Sequence, residues 1–319
     1  MDLIYTDAQK ADQGVLHTHF FDLSYGQSEN DFELSISAND EPLEMGSYIY
    51  MEGTEYGGIV GGLRVSTADD TITHTGRTWH GILNSKIIEP DSGESHLIAS
   101  GDANRVLEML VDRLGLAELF SVSPATSGVM INRYQFYRYC KAYDGIRAML
   151  ADNGAKLKIA WQNRSVVLWA EPIVDYTRDP VDNDMATVEV EQHAHSVNHL
   201  VCLGLGELTE REVVHLYIDQ NGNISDQQYY TGVDEIADVY EDTWAESLRE
   251  AGIERLKELQ KKNAADIDIL ESDSVLYDIG DIVGAVERRT GVSVSTPVTQ
   301  KIVKIKNGVV STDYKTGGE

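Results

Sequence analysis

Apolar and polar residues alternate through much of the first 77 positions, and the alternation predicts strands. Residues 14–38 read as two of them. VLHTHFFDLSY is rich in β-branched and aromatic residues, and DFELSIS places Phe32, Leu34 and Ile36 on one face. The intervening GQSEN is turn chemistry. SYIYM, GGIVGGLRVST and TITHTG continue the β pattern, with ADD as the turn between the last two. A short apolar helix is predicted at TWHGILNSKII, and Pro90 with DSGES closes a first β region spanning 1–92.

The period then changes. In GDANRVLEMLVDRLGL, Val106, Leu107, Leu110, Val111 and Leu114 share a helical face, Asp102 is the N-cap and Gly115 the stop. GVMINRYQFYRY reads as a strand. DGIRAMLADNG reads as a helix with Asp144 near its start and Gly154 past its end. KLKIAW and SVVLWAE form a hairpin around QNR. These elements make a small α/β domain over 93–178, followed by the polar linker DYTRDPVDND.

The β pattern returns over 179–319 in ATVEVE, HLVCLGLG and REVVHLYI, with DQNGNISD as a loop. A helical insertion is predicted over about 232–264. Thr243 and Glu246 make a capping box, and Trp244, Leu248, Leu256 and Leu259 recur at helical spacing. The chain finishes in β: DIDIL, DIVGAV, TQKIVKIK and GVVSTDY.

This last stretch echoes the first. In LEMGSYIYMEGTEYG and in YDIGDIVGAVERRTG, a glycine precedes a small polar residue and two apolar ones, and a second glycine follows 11 positions later. Gly46 aligns with Gly280 and Gly57 with Gly291, and a β-hairpin follows each pair. Matching order, spacing and hairpin predict an internal duplication. Two similar β units per chain would let three chains in a ring present six units about one axis, an arrangement suited to docking on a six-fold ring.

Charge narrows the function classes. With 53 acidic and 26 basic residues among 319, the net charge is −27. That disfavours nucleic-acid binding, which needs cationic neutralisation of phosphates, and disfavours anionic membrane surfaces. An acidic channel would let DNA pass without adhering. No run of apolar residues predicts a membrane span, and the first residues lack a signal-peptide pattern, so folding in a cytosol is expected. Cys140 and Cys202, among apolar and aromatic neighbours, read as buried thiols.

Candidate chemistry is sparse. HAHSVNH offers His193, His195 and His199 as nitrogen ligands, yet a polar strand face accounts for the same spacing. His17 and His19 repeat the ambiguity. GGIVGG lacks the Lys-Ser/Thr of a phosphate loop, and neither a zinc-protease nor a nucleophile-elbow motif is present. Cys140 has no histidine partner legible in sequence. No pair of carboxylates stands out as a glycosidase pair. Trp79, Trp161, Trp169 and Trp244 could stack on sugars, although packing explains them as well. The expectation is therefore no catalytic residue, no metal and no cofactor.

Several stretches together resemble a known family: YGQSENDFEL, GTEYGGIVGGLRVST, ITHTGRTWHGILNSKIIEP, SGDANRVLEML, YQFYRYCKAYDGIRAML and YDIGDIVGAVERRTGVSV. They look like the tail-hub (tail-tip, baseplate-hub) proteins of long-tailed siphoviruses and of prophages in Gram-positive bacteria, over nearly the whole chain. The resemblance implies a mainly β, α+β fold. Two tube-like antiparallel β-barrel domains would flank the small α/β domain, and the second would carry the helical insertion. It implies a structural homotrimer in the virion, joining a hexameric tail tube to distal tail-tip, spike or fibre proteins and contacting the tape-measure protein. The alternative is a carbohydrate-binding or cell-wall-degrading tail-tip protein.

Overall fold

A computed structural model of the chain describes residues 2–17, 19–66, 70–178, 186–190, 196–243, 247–261, 265–269, 276–286 and 293–317. Strands dominate them, with four α-helices among the described residues, so the fold is α+β and mainly β.

The alternating N-terminal stretches form strands β1 (Leu3–Thr6), β2 (Asp12–Leu16), β3 (His19–Gly26), β4 (Asp31–Ser37), β5 (Tyr48–Tyr50), β6 (Gly57–Ser66) and β7 (Thr71–Thr78). As expected, Phe32, Leu34 and Ile36 of β4 are buried, while Asp31 before them and Glu33 between the first two face water. Helix α1 (Trp79–Asn84) follows without a loop because the Thr78 hydroxyl caps it, accepting from the Gly81 N–H at 3.2 Å. Gly81 is required there: a Cβ would stand 2.0 Å from the Asn30 carbonyl oxygen.

The middle segment carries β8 (Ile87–Ile88), β9 (Ile98–Asp102), α2 (Ala103–Arg113), β10 (Phe120–Val122), β11 (Met130–Gln135), β12 (Cys140–Lys141), α3 (Ala142–Asp152), β13 (Ala155–Gln162) and β14 (Ser165–Pro172). Asp102 caps α2 as expected. One carboxylate oxygen accepts from the Asn104 N–H at 3.0 Å and the other from the Ser127 N–H and hydroxyl at 2.9 Å each. The β13–β14 hairpin turns at Asn163 and Arg164, both left-handed (φ 52° and 64°), the requirement of a type I′ turn.

The chain continues through β15 (Ala186–Val190), β16 (His199–Leu203), β17 (Val213–Ile218), β18 (Ile224–Ser225), β19 (Ala237–Glu241) and α4 (Leu248–Lys261). It ends in β20 (Ala265–Ile269), β21 (Ile282–Val286), β22 (Ser293–Lys306) and β23 (Val309–Thr316). Contacts group it into two compact units, Met1–Val188 with Ile267–Gly317, and Glu189–Asp266 with Gly318–Glu319.

The smaller unit is a sheet in the order β18-β17-β16-β19, on which α4 packs Leu248, Leu256 and Leu259 against Leu200, Cys202, Leu216 and Ile218. The segment expected to be helical over about 232–264 is only partly so. Its first third holds β19, which pairs in parallel with β16 from His199↔Ala237 to Leu203↔Glu241. Pairing to a buried neighbour offers Val239 and Tyr240 a ladder that an isolated helical turn does not. Glu246 of the expected capping box, and Trp244 of the expected helical face, lie outside the described residues. The Ser247 hydroxyl accepts from the Glu250 N–H at 3.4 Å at the start of α4.

In the larger unit, the two β regions expected as separate barrels form one sheet, in the order β15-β20-β23-β22-β3-β4-β7-β6-β5-β1-β2, with β21 also on β22. Among the described residues this path ends at β15 and β2 and does not close. The reason is the length of β22. Its first half pairs with β21, and its second half pairs with β3 over seven residues, from Gln300↔Gly26 to Lys306↔Phe20. Val303 and Ile305 consequently share one apolar cluster with Phe21, Leu23, Phe32, Leu34 and Ile49.

The predicted duplication is present in the hydrogen bonding. Gly46 donates to the Val60 carbonyl at 2.8 Å, and Val60 donates back to Ser47 at 2.9 Å. Gly280 donates to the Val298 carbonyl at 2.8 Å, and Val298 donates back to Asp281 at 2.8 Å. Both glycines have positive φ, 89° and 99°. Tyr48, Ile49 and Tyr50 face Ile59, Gly58 and Gly57, just as Ile282, Val283 and Gly284 face Pro297, Thr296 and Ser295. Each following hairpin carries a bulge at the matching place, between Val60 and Gly62 and between Val298 and Gln300. Equivalence of Val60 with Val298 pairs Gly57 with Ser295; Gly291, the expected match, lies outside the described residues.

The junction between the copies predicts unequal glycines. A Cβ on Gly26 would meet the Thr299 carbonyl at 2.2 Å, in a backbone conformation (φ 145°) that side chains rarely adopt, whereas Gly61 has open space. Gly26→Ala is expected to destabilise the chain by about 1–3 kcal/mol and Gly61→Ala by less than about 0.5 kcal/mol, read by denaturant unfolding.

Candidate functional site

The distinctive side-chain chemistry of the larger unit lies where its parts meet. Glu55, between β5 and β6, accepts from the Tyr25 hydroxyl at 2.8 Å and from the Lys301 ammonium at 2.6 Å. Its second carboxylate oxygen stands 3.7 Å from His80 Nε2 on α1. The His80 ring stacks on Tyr25 with centroids 4.2 Å apart. Lys301 stands 3.7 Å from Asp278. Asp278 accepts from Lys158 at 2.7 Å and from Lys156 at 2.8 Å, both on β13. Lys156 reaches both oxygens of the fully buried Asp281 at 2.7 and 2.8 Å. Asp281 also accepts from the Val174 and Asp278 N–H groups, at 2.9 Å each.

Three carboxylates thus meet three ammonium groups in a chain that ties β3, α1, the β13–β14 hairpin and the C-terminal strands together. The residues of the GDIVG motif acquire a role here: Gly280 makes the positive-φ turn, and Asp281 anchors Lys156. In the N-terminal copy the matching residues are Glu44, which accepts from the Ala8 N–H at 3.0 Å, and Ser47, a buried hydroxyl. The buried carboxylate of Asp281 has no acidic counterpart in the first copy, where Ser47 stands.

Burial and charge pull these groups in opposite directions. Burial would raise the carboxyl of Asp278, but the Lys301 charge and the hydrogen bonds from Lys156 and Lys158 hold it down at about 2. Burial likewise opposes ionisation of Glu55, and Lys301 and His80 bring it below its ordinary value. Burial lowers His80 to about 4, so the imidazole is neutral at pH 7. On Lys301 burial is outweighed by Glu55 and its neighbours, and the ammonium is held charged.

The other candidates separate. Trp79 and Trp161 are core residues, stacked with centroids 5.3 Å apart, and Tyr50 stacks on Trp161 at 4.4 Å. Trp169 is partly buried and donates to Glu171 at 2.6 Å. Cys140 and Cys202 are free thiols, each pushed up by burial. His17 is exposed and His19 buried, where burial lowers the pKa of its imidazole. His193 and His195 lie outside the described residues. His199, on β16 of the smaller unit, bonds Glu235 at 2.6 Å and His215 at 2.9 Å and stacks on Tyr217. His215 is found by strand register, not by any sequence spacing. Among the described residues no group of three or more His, Cys, Asp or Glu could hold a metal. No described helix is long and apolar enough to cross a membrane.

The ion-pair chain makes two outcomes measurable. Lys301→Met leaves Glu55 buried without its cation and is expected to cost about 3–5 kcal/mol; adding Glu55→Leu should recover much of it, a coupling read by a double-mutant cycle. Acid should weaken the fold in two stages. His80 has a lowered pKa, so the unfolded chain takes up its proton first, and stability falls from about pH 6.5 toward 4. Asp278 then withdraws on the order of 2 kcal/mol as pH falls from about 4 to about 2. Unfolding free energies against pH should show His80→Phe flattening only the first stage.

No family model matches the sequence, and no curated protein matches it by sequence. Solved structures do match its fold. The 43 kDa tail protein of prophage MuSo2 from Shewanella oneidensis superposes with a TM-score of 0.58 at 12% identity, covering 99% of this chain and 98% of that one. Prophage tail protein gp18 from Listeria monocytogenes EGD-e gives 0.55 at 13% identity, covering 100% and 95%. A chain of the phage P2 baseplate in its activated conformation with Ca gives 0.52 at 10% identity, covering 100% and 99%. Over its whole length, this chain has the fold of prophage tail proteins and phage baseplate components.

Proposed function

We propose that this chain is a structural tail hub of a phage or prophage. It forms a homotrimeric ring that joins a hexameric tail tube to distal tail-tip or spike proteins and lines the channel through which DNA passes. The observation that carries the reading is the duplicated β unit, matched in register and fused through β3 and β22 into one sheet. Three such chains would place six equivalent β units about one axis, the symmetry of a hexameric tube. Residues 1–92 and 179–319 would supply the ring segments and 93–178 the domain between them. The fold likeness to tail and baseplate proteins supports a place in the virion.

The role is geometric, with no catalytic step and no cofactor. An excess of acidic residues, net −27, keeps a channel non-adhesive to DNA by like-charge repulsion. The glycan-binding alternative loses its aromatic candidates Trp79 and Trp161 to the core.

Native mass over a range of protein concentrations, with negative-stain images of the same samples and with added tail-tube protein, tests the proposal. A three-chain ring with a central hole that binds the end of the tube is the expected result. A chain that stays monomeric both alone and with the tube protein overturns it.

A further inference from the structure

The two copies of the repeat also differ in what covers the second half of the long strand. On β22 that half is paired with β3 and buried, Val303 being 0% exposed. The matching half of β6 pairs with β7 on one side, and among the described residues no strand lies along its other side at Leu63–Val65. Leu63 is 44% exposed, and Val65, which matches Val303 by position, is 59% exposed. Arg64 between them is drawn to Glu33 of β4 at 3.5 Å, and an unpaired strand edge flanked by exposed Leu63 and Val65 invites pairing.

The repeat also says which strand fits. β3 reaches β22 as the first strand of its copy, the neighbour of β4, which in turn pairs with the hairpin strand β7. In the second copy β20 holds the place of β4, pairing with β23, and β15 holds the place of β3. β15 stands at the end of the sheet, its outer edge open among the described residues.

We propose that β6 at Leu63–Val65 pairs antiparallel with β15 (Ala186–Val190) of a second copy of this chain, repeating between chains the β22–β3 junction within each. The contact is heterologous, with each chain offering β6 to one neighbour and β15 to the other, so repetition closes a ring. This inference rests on the ring proposed above and names the surfaces that close it.

Cysteine pairs test it in the full chain. Val65→Cys is combined in turn with Ala186→Cys, Val188→Cys and Val190→Cys, then oxidised and run on non-reducing gels. One of these pairs is expected to give a covalently closed oligomer. A mixture of Val65→Cys chains with the matching single variant should give dimers, and Val65→Cys alone none. Val65→Asp should leave the melting temperature of the lone chain unchanged, because the site is exposed there. It should raise the concentration for half-assembly at least about tenfold, because the site is buried in the ring. Dimers from Val65→Cys alone would show β6 pairing with itself and overturn the inference. Rings that form in the unmodified protein, yet yield no cross-link and ignore Val65→Asp, overturn this edge while leaving the ring reading intact. Absence of any assembly overturns both.

Discussion

Strand β22 serves two copies of one motif at once, and the larger unit depends on that sharing. Its first half completes the C-terminal repeat against β21, and its second half is the lateral partner of β3 in the N-terminal repeat. The bulge between Val298 and Gln300 separates the two halves. A bulge re-aims a strand and strengthens its twist, which lets one continuous strand leave one neighbour and take another. Gly26 ends β3 against the bulged residue Thr299, where only a missing Cβ allows the approach.

Charge is arranged around this junction. The junction strand carries Lys301 at a buried position, and a buried ammonium is tolerable only with its counter-charges in place. Glu55 comes from the first copy, Asp278 from the second, and Lys156 and Lys158 from the hairpin between them in sequence. The network therefore forms only when all three segments dock together. It is weak as a source of net stability and strong as a check on register: a one-residue slip of β22 on β3 would turn Lys301 toward the opposite face and leave Glu55 unpaired.

The expectation of two barrels and the observed single sheet have a common origin. Each copy is a short antiparallel unit with a free first strand and a free half of its long strand. A sequence read copy by copy supplies no partner for either edge, and closure of each unit on itself is the natural inference. The partner of β3 lies more than 270 residues away along the chain, at Gln300–Lys306, and no local pattern encodes that distance.

What the chain's sequence determined alone is local and periodic. The alternation of Phe32, Leu34 and Ile36, the Asp102 cap of α2, the turn around Asn163 and the echo of Gly46 in Gly280 were all legible, because each depends on neighbours within one strand, one helical turn or one β-turn. The tail-hub resemblance was legible as well, in motifs whose glycines mark tight approaches. The folded arrangement alone sets who meets whom: β22 with β3, Lys156 with Asp281, His199 with His215, and β19 where a longer helix was expected. Those pairings are set by burial and strand register between distant segments. The same side chains, read in order along the chain, carry no record of which edge they will cover.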